Sequence, residues 1–306
     1  MEPLVDIIIC VKNNKEIISK CLESVKKQRY KNINCMVLDD NSTDGTCDLI
    51  KKKYKFVTCI TLSGKGPSFN RNEGIKKSGG KYIITMDSDA ILNRDWVKKM
   101  VLFMEKNIGI GIASGKILYE NSNKINIAGG GMGKSGIVCH LGEGKNKNEE
   151  TKIKKVIYLC SASMIIRRKI LKKIGLFDPE YFYGYEDLDL CWRANLAGFE
   201  VIYYPFAESY HEQNTTIKNI PSPRISFLGN RNRILTLLKN YEGLSLLRYF
   251  PTFIAHFIFL ILFRKNKISI LKAYLWNIKK FDKILKKRKR INKIRKIKDK
   301  ELIKIF

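Results

Sequence analysis

The amino-acid sequence predicts an α/β protein, with a mostly parallel sheet flanked by helices and a helical, basic carboxyl-terminal region. Strand-like and helix-like segments alternate over the first 110 residues, and this alternation is typical of a parallel sheet covered on both faces. After Pro221 the sequence becomes rich in leucine and isoleucine and then in lysine, which predicts a helical appendage. A chain of 306 residues suits one large domain with such an appendage.

The first part of the sheet is predicted from apolar runs separated by helix-like spacing of the apolar residues. The strands are predicted at 4–12, 33–40, 55–62 and 81–89, and the helices between them at 14–28, 42–54 and 66–80. In sheets of this kind ligands bind at the carboxyl ends of the strands. Two strands end in acidic residues, in "LDDNS" and "MDSDA". We therefore expect both acidic clusters on the same rim.

The following segment, about 110–215, is less regular. It contains predicted strands at 109–119 and 200–211, an apolar and then basic stretch at 156–171, and a short helix closed by Gly198. The glycine-rich stretch 128–136 is predicted to be a flexible loop. We place one domain at 1–220 and a separate helical region at 221–306.

Charge and cysteine usage limit the classes of function. The formal net charge is +29, and residues 264–306 carry 18 Lys and Arg against three acids, a net charge of +15. This surplus predicts an anionic partner, which is a nucleic acid, a lipid surface or a phosphorylated substrate. Eight scattered cysteines without a CxxC pair predict reduced thiols in a cytosolic protein rather than a zinc site or disulfide framework. We expect no signal peptide, because the amino terminus enters a strand-like run directly.

Each acidic cluster on the rim has two interpretations. Asp39 and Asp40 either form a turn and cap the next helix, or accept hydrogen bonds from a base or a ribose. Asp87 and Asp89 flank Ser88 at the end of the fourth strand, where alternating acids can hold a divalent cation that neutralises a diphosphate. A D-x-D sequence by itself is common, but its position opposite the first cluster favours the metal site.

Two further residues have the same double interpretation. Arg71, on the helix before the fourth strand, either reaches a phosphate or belongs to a solvated helix face. His211 ends the last predicted strand and is either a structural histidine or a metal ligand that complements Asp89.

The stretch "YFYGYEDLDLCW", residues 181–192, places three carboxylates at the start of a helix. Glu186, Asp189 and Arg193 share one helical face, and Asp189 and Arg193 are spaced for an i, i+4 ion pair. Asp187 lies off that face in the first turn, where the helix dipole favours its ionised form. An ionised carboxylate beside aromatic residues suits a general base for a sugar hydroxyl. Asp187 is therefore the catalytic candidate, and Glu186 and Asp189 are positioning or structural groups.

Taken together, these segments resemble the inverting nucleotide-sugar glycosyltransferases of family 2, which have the GT-A fold. The resemblance covers roughly residues 4–215 and rests on "MVLDDNSTDGT", "RNEGIKKSGGKYIITMDSDA" and the paired arginines, G-x-F-D, E-D-x-D and terminal histidine of the second half. That second half is similar to the rhamnosyl- and galactofuranosyl-transferase-like branch. The sequence departs from the family pattern at "CSAS" (160–163), where a glycine-containing stretch is common, and at "LSGKGPSFNRN" (62–72).

The resemblance implies a Rossmann-like nucleotide-binding half at 1–110 and an acceptor-side half at 111–220. It implies a nucleoside-diphosphate sugar donor that is UDP-, dTDP- or GDP-linked, and an acceptor that is a glycan or a lipid-linked molecule. Asp187 would deprotonate a hydroxyl of the acceptor, and a hexosyl-type sugar would be transferred with inversion. The divalent metal would be Mn²⁺ or Mg²⁺, bound by Asp89 and His211. The substrate-binding residues that we expect are Asp6 or the backbone near Val11, Asp39, Asp40, Arg71, Asp87, Glu186 and Trp192.

The carboxyl-terminal region predicts membrane association. The apolar run 249–263 has 15 residues and contains Pro251 and His256, whereas spanning a bilayer takes about 20 residues. We therefore expect a buried or re-entrant segment, or a peripheral or monotopic anchor at the inner face of the cell membrane, with the lysine-rich tail on anionic lipids. The alternative for the tail is a solvated charged helix.

Two other classes of function compete with the transferase. One is a basic nucleic-acid- or membrane-binding protein without transferase activity, and the other is a domain that binds sugar nucleotides without catalysis. The charge lies behind an apolar segment and no nucleic-acid-binding module is recognisable, so nucleic acid is not the expected partner. All the proposed catalytic residues are present, which favours an active enzyme.

Overall fold

The computed structural model describes residues 1–212 and 220–303. The segment 213–219, just before the predicted boundary at 220/221, and residues 304–306 lie outside this description. The strands are β1 (Val5–Val11), β2 (Ile33–Asp39), β3 (Val57–Thr61), β4 (Tyr82–Asp87), β5 (Ala90–Leu92), β6 (Ile110–Tyr119), β7 (Ile125–Ile127), β8 (Gly130–Met132), β9 (Val138–His140), β10 (Lys154–Lys155), β11 (Ser163–Arg167) and β12 (Glu200–His211). The helices are α1 (Ile18–Lys26), α2 (Thr46–Lys53), α3 (Pro67–Lys77), α4 (Trp96–Lys106), α5 (Arg168–Ile174), α6 (Glu186–Leu196), α7 (Ser222–Asn240), α8 (Gly243–Phe263), α9 (Lys267–Lys279), α10 (Phe281–Ile294) and α11 (Asp299–Ile303), with a 3₁₀ helix at Pro179–Tyr181.

The central sheet is mixed but mostly parallel in its first half, which confirms the predicted α/β class. Its order is β10-β12-β6-β11-β4-β1-β2-β3. The neighbours β3, β2, β1 and β4 are all parallel, while β11 runs antiparallel between β4 and β6. The order of the parallel strands changes direction at β1, so the carboxyl ends of β1 and β4 border the crevice where such sheets bind ligands.

Helices cover both faces of this sheet. Ile7 and Ile9 of β1 belong to the core on one face and Ile8 to the core on the other, as the alternation of side chains along a strand requires. Helix α3 packs closely on β1 because Gly74 has no side chain. A Cβ atom at Gly74 would lie 2.7 Å from Cγ2 of Ile8. This close approach places the polar amino-terminal half of α3 beneath the rim.

The predicted flexible loop at 128–136 is wrong. Its residues Gly130–Met132 form β8, which pairs with β9 in a hairpin and is buried. Glycine is needed here because a Cβ at Gly130 would lie 2.4 Å from the carbonyl oxygen of Cys139 and 3.0 Å from the Tyr158 ring. The glycines therefore permit a close backbone approach rather than mobility.

The apolar run near residue 250 differs from the prediction in length and in burial. Helix α8 has 21 residues and begins six residues before the predicted run, with Pro251 inside it. Its apolar window has a mean hydropathy of 1.8 and is 11% buried. By length and composition it is the one helix of the described residues that qualifies to cross a membrane. The expectation of a buried segment is wrong, because Leu260 is the only buried residue of α8.

Candidate active site

Three residues that the sequence predicted for the rim meet at one point. Asp87 ends β4, Asp89 follows two residues later, and His211 ends β12, where it pairs with Ala90 of β5. Nε2 of His211 lies 3.2 Å from Oδ1 of Asp89 and 3.9 Å from Oδ2 of Asp87. One ligand atom from each of the three residues lies within 4.8 Å of the other two. The antiparallel pairing of β5 with β12 thus joins the two halves of the sequence.

The residues of this cluster fit a divalent cation. Carboxylate oxygens are the ligands that Mn²⁺ and Mg²⁺ prefer, and an imidazole nitrogen is a common companion ligand. Burial alone lowers the pKa of His211, but Asp89 and Asp87 outweigh burial and raise it. The Nδ1 atom of His211 is buried without a hydrogen-bond partner among the described residues. The acids therefore create an environment that favours positive charge, as a cation site requires.

Arg71 connects the cluster of Asp87, Asp89 and His211 to helix α6. Its Nη2 atom lies 2.9 Å from Oδ1 of Asp87, and its Nη1 atom lies 2.9 Å from Oε1 of Glu186. The guanidinium also lies over the Phe177 ring, 5.5 Å from its centroid. The interpretation of Arg71 as part of a solvated helix face is wrong, because its side chain is only 3% exposed. Its contact with a phosphate stays a prediction.

The bonds of Asp39 and Asp40 match the turn interpretation. Oδ2 of Asp39 accepts a hydrogen bond from the backbone N–H of Ser42 at 3.2 Å. Oδ1 of Asp40 accepts from the backbone N–H of Gly66 at 3.2 Å and from Nδ2 of Asn70 at 2.7 Å. The two acids thus fix the turn after β2 and the start of α3. Their contact with a nucleotide stays a prediction.

Asp6 lies at the wrong end of its strand for a nucleotide contact. It is the second residue of β1, whereas the ligand-binding rim is at the carboxyl end, near Val11. Oδ2 of Asp6 accepts from the backbone N–H of Gly80 at 2.6 Å and from Nη2 of Arg168 at 3.0 Å. The expectation for Asp6 is therefore wrong, and the residue ties β1 to α5 instead.

Asp187 is buried at the start of α6 and keeps close hydrogen-bond donors. Oδ2 faces the backbone N–H of Ser161 at 3.2 Å and its hydroxyl at 3.4 Å, and Oδ1 accepts from the N–H of Leu188 at 2.8 Å. Ser161 belongs to the "CSAS" departure from the family pattern, so this departure supplies donors to the candidate base. Burial raises the pKa of Asp187, although Arg71 opposes this. Burial thus acts against the ionised form of Asp187 that the helix dipole favours.

Glu186 and Asp189 have different surroundings on the same helix. Burial and the neighbouring Asp187 raise the pKa of Glu186 despite Arg71. The predicted ion pair is confirmed, with Nε of Arg193 2.9 Å from Oδ2 of Asp189. Oδ1 of Asp189 also lies 2.9 Å from Nζ of Lys239 on α7. Asp189 is thus a structural group, and its α7 partner was missed because 50 residues separate the two in sequence.

Trp192 occupies a hydrophobic cluster between α6 and the carboxyl-terminal helices. Its ring is 5.0 Å from the Tyr241 ring in an edge-to-face arrangement, and the residue is 3% exposed. This packing gives Trp192 a structural role. Its predicted substrate contact has no support from this packing and stays a prediction.

Residues 6–175 match the model of the family described as "Glycosyl transferase family 2". The poly-beta-1,6-N-acetyl-D-glucosamine synthase of Staphylococcus aureus (strain COL) is 22% identical over 279 residues, which cover 90% of this chain and 63% of the relative. The chain therefore spans less than two thirds of the length of this curated relative.

Solved structures share the fold at low identity. GalNAc-T7 with UDP, GalNAc and Mn²⁺ has a TM-score of 0.65 and 16% identity, covering 83% of this chain and 50% of its own. The mannosyltransferase PcManGT from Pyrobaculum calidifontis, in complex with GDP-Man and Mn²⁺, has a TM-score of 0.57 and 14% identity, covering 92% and 76%. These likenesses show the GT-A fold.

Proposed function

The chain belongs to glycosyl transferase family 2, and on this premise we propose that it transfers a sugar from a nucleoside diphosphate to a hydroxyl group, with inversion. The acceptor would be a glycan or a lipid-linked molecule. One observation carries the proposal: the two contacts of Arg71 join Asp87 of the cation cluster to Glu186, the neighbour of the candidate base. The predicted donor side and acceptor side thus share one buried guanidinium.

On the donor side, Asp87, Asp89 and His211 would hold Mn²⁺ or Mg²⁺. Such a cation, when bound, stabilises the negative charge of a departing diphosphate. The donor would be UDP-, dTDP- or GDP-linked, and solved neighbours titled with UDP or GDP-Man and Mn²⁺ support this class. Arg71 keeps Asp87 oriented through a charge-assisted hydrogen bond.

On the acceptor side, Asp187 would act as the general base. Its carboxylate takes the proton of the acceptor hydroxyl as that oxygen forms a bond to the anomeric carbon. The bond between the anomeric carbon and the diphosphate oxygen breaks, and its electron pair leaves with the diphosphate. A single displacement of this kind inverts the configuration. The raised pKa of Asp187 favours this role, because a base works best when its pKa approaches the working pH.

The enzyme would work at the cytoplasmic face of a membrane. Support comes from α8, whose apolar window is only 11% buried, and from the net charge of +15 over residues 264–306. Apolar surface next to basic residues is typical of interfacial attachment to anionic lipids. A lipid-linked acceptor would then reach the rim without leaving the membrane surface.

A transfer assay with Asp187→Asn tests the proposed function. The full-length chain would be incubated with UDP-, dTDP- and GDP-linked sugars, Mn²⁺ and bacterial lipid-linked acceptors, and nucleoside diphosphate release would be measured. We expect turnover for the wild type with one donor class and a decrease of about 10²–10⁴-fold for Asp187→Asn. The control is Asp95→Asn, a surface acid paired with Arg29, which should keep wild-type turnover.

Equal turnover by Asp187→Asn and the wild type would remove Asp187 from the mechanism. No turnover with any donor, together with salt-sensitive retention on DNA, would support the basic nucleic-acid-binding alternative instead.

A further inference from the structure

A strained turn precedes the candidate base. We call residues 181–185 the aromatic loop; it consists of the last residue of the 3₁₀ helix and the four residues that lead into α6. Phe182 has φ 59°, Gly184 has φ 79° and Tyr185 has φ 72°. Left-handed backbone at a non-glycine residue costs about 1–3 kcal/mol and persists only when the surroundings hold it. Two such residues, Phe182 and Tyr185, within four positions therefore need an external restraint.

Asn232 of α7 provides that restraint. Its side chain is fully buried. Nδ2 lies 2.9 Å from the carbonyl oxygen of Tyr181, 2.9 Å from that of Tyr183 and 2.7 Å from that of Gly184, so its two N–H groups are shared among three acceptors. Three carbonyl groups of the aromatic loop thus converge on one amide. Carbonyl groups that lose a donor when they are shielded from water pay a desolvation cost, so the amide stabilises this shape of the loop.

The orientation of the amide is fixed as well. Oδ1 of Asn232 accepts from Nε of Arg231 at 2.8 Å, which leaves Nδ2 directed at the loop. Nη2 of Arg231 donates to the carbonyl oxygens of Glu180 and Tyr181, both at 2.7 Å. Two neighbouring residues of α7 therefore donate hydrogen bonds to the same stretch of backbone, residues 180–184.

The aromatic loop contacts both sides of the candidate site. Tyr185 is the N-cap residue immediately before α6, so its backbone sets the direction in which Asp187 enters the site. At the other side, the ring of Phe182 packs on Gly66, where a Cβ atom would lie 2.6 Å from Cδ2 of the ring. Gly66 in turn donates its N–H to Asp40.

We propose that Asn232 is a positioning residue for the transfer reaction. By fixing the aromatic loop it sets Asp187 at the distance from the donor side that the reaction requires. The inference rests on the proposed transferase function, and it makes helix α7 part of the catalytic unit. A small misplacement of a catalytic group costs up to about 10²-fold in rate.

The test compares Asn232→Ala and Asn232→Ser with Asn277→Ala in the full-length chain. Asn277 of α9 is a matched control because it is equally buried and its Nδ2 donates to two helix carbonyls, of Arg231 at 3.1 Å and Ala273 at 2.9 Å. Within the described part of the chain, Asn277 donates no hydrogen bond to the aromatic loop. The measurements are kcat and KM for the donor, Kd for the nucleoside diphosphate with Mn²⁺, and Tm.

We expect both Asn232 variants to lose about 10- to 100-fold in kcat, with KM and Kd within about threefold of the wild type because the donor ligands are untouched. Asn277→Ala should keep kcat within about threefold, with a comparable decrease in Tm. The inference would be overturned by an unchanged kcat in the Asn232 variants or by an equal loss of kcat in all three variants. It would also be overturned if both Asn232 variants failed to fold while Asn277→Ala folded. An inactive wild type would overturn the proposed function, and the inference with it.

Discussion

Helices α7 and α8 are neighbours in sequence but distribute their residues in opposite ways. Surface helices usually bury apolar residues and expose polar ones. Helix α7 instead buries many polar residues, and α8 exposes large apolar ones. The buried polar residues of α7 are Arg231, Asn232, Arg233, Thr236, Lys239 and Asn240. The exposed apolar residues of α8 are Leu244, Leu247, Phe250, Ile254, Ile258, Phe259, Leu262 and Phe263.

The difference shows what each helix faces. Nζ of Lys239 on α7 lies 2.7 Å from Oδ2 of Asp178 and 2.9 Å from Oδ1 of Asp189, and Lys287 of α10 lies 2.8 Å from Asp178. Buried charge is tolerated because it is paired in this way. The apolar surface of α8 has little cover within the described residues, and a lipid surface would supply it. Helix α7 therefore packs against the residues around the candidate site, and α8 exposes the apolar face that we propose to lie on a membrane.

Breaking the interior of α7 should have the largest effect on stability. Lys239→Met removes the shared partner of Asp178 and Asp189 and leaves buried carboxylates with less compensation. We expect the free energy of unfolding to decrease by about 3–5 kcal/mol, measured by urea denaturation. Lys279→Met, at an exposed position of α9, is the matched control and should stay within about 0.5 kcal/mol of the wild type.

The same ion pairs predict the direction of the pH dependence. Burial alone raises the pKa of Asp178 and of Asp189. Lys239 and Lys287 outweigh burial at Asp178, and Arg193 and Lys239 outweigh it at Asp189, so both pKa values are lowered. A lowered pKa contributes stability that is present above the ordinary carboxyl pKa and is lost as the pH decreases. We expect wild-type stability to decrease below about pH 4, less steeply in Lys239→Met. Parallel curves for the two proteins would contradict the role of Lys239.

Changing the exterior of α8 should affect membrane binding and leave stability unchanged. The double variant Leu262→Gln, Phe263→Gln removes two exposed apolar side chains, each worth about 1.5–3 kcal/mol when fully buried. We expect partitioning onto vesicles of phosphatidylglycerol and phosphatidylcholine to decrease about 100-fold in flotation, with an unchanged Tm. The control is Ile108→Gln, an exposed apolar residue in the loop before β6. Equal flotation of all three proteins would show that α8 is not the attachment surface.

The rim could be predicted from the sequence, whereas the support beneath the base could not. Asp87 and Asp89 follow a strand whose apolar pattern is local, so their place at the end of β4 follows from a few neighbouring residues. The helical spacing of Asp189 and Arg193 is equally local. The contacts of Asn232 with the aromatic loop join positions about 50 residues apart. No periodicity in α7 indicates that its polar side chains point inwards.

The sequence pattern also did not predict which of the charged residues are buried. The helix dipole at the start of α6 favours an ionised Asp187, yet the surrounding chain buries this residue and raises its pKa. Arg71 was predicted either to meet a phosphate or to lie in solvent, and it lies between two carboxylates instead. Both outcomes depend on contacts between segments that are far apart in sequence, such as Arg71 with Glu186 and Ser161 with Asp187.

The most direct test of the central claim, that the rim binds a sugar nucleotide with a divalent cation, is thermal stabilisation. The full-length chain would be heated with UDP, GDP, dTDP or CDP, each with Mn²⁺, Mg²⁺ or EDTA, beside Asp89→Ala and the surface control Asp95→Ala. We expect one nucleotide at about 100 times its Kd to raise Tm by about 5 °C, only with metal and not in Asp89→Ala. No stabilisation of the folded wild type by any combination would contradict the claim.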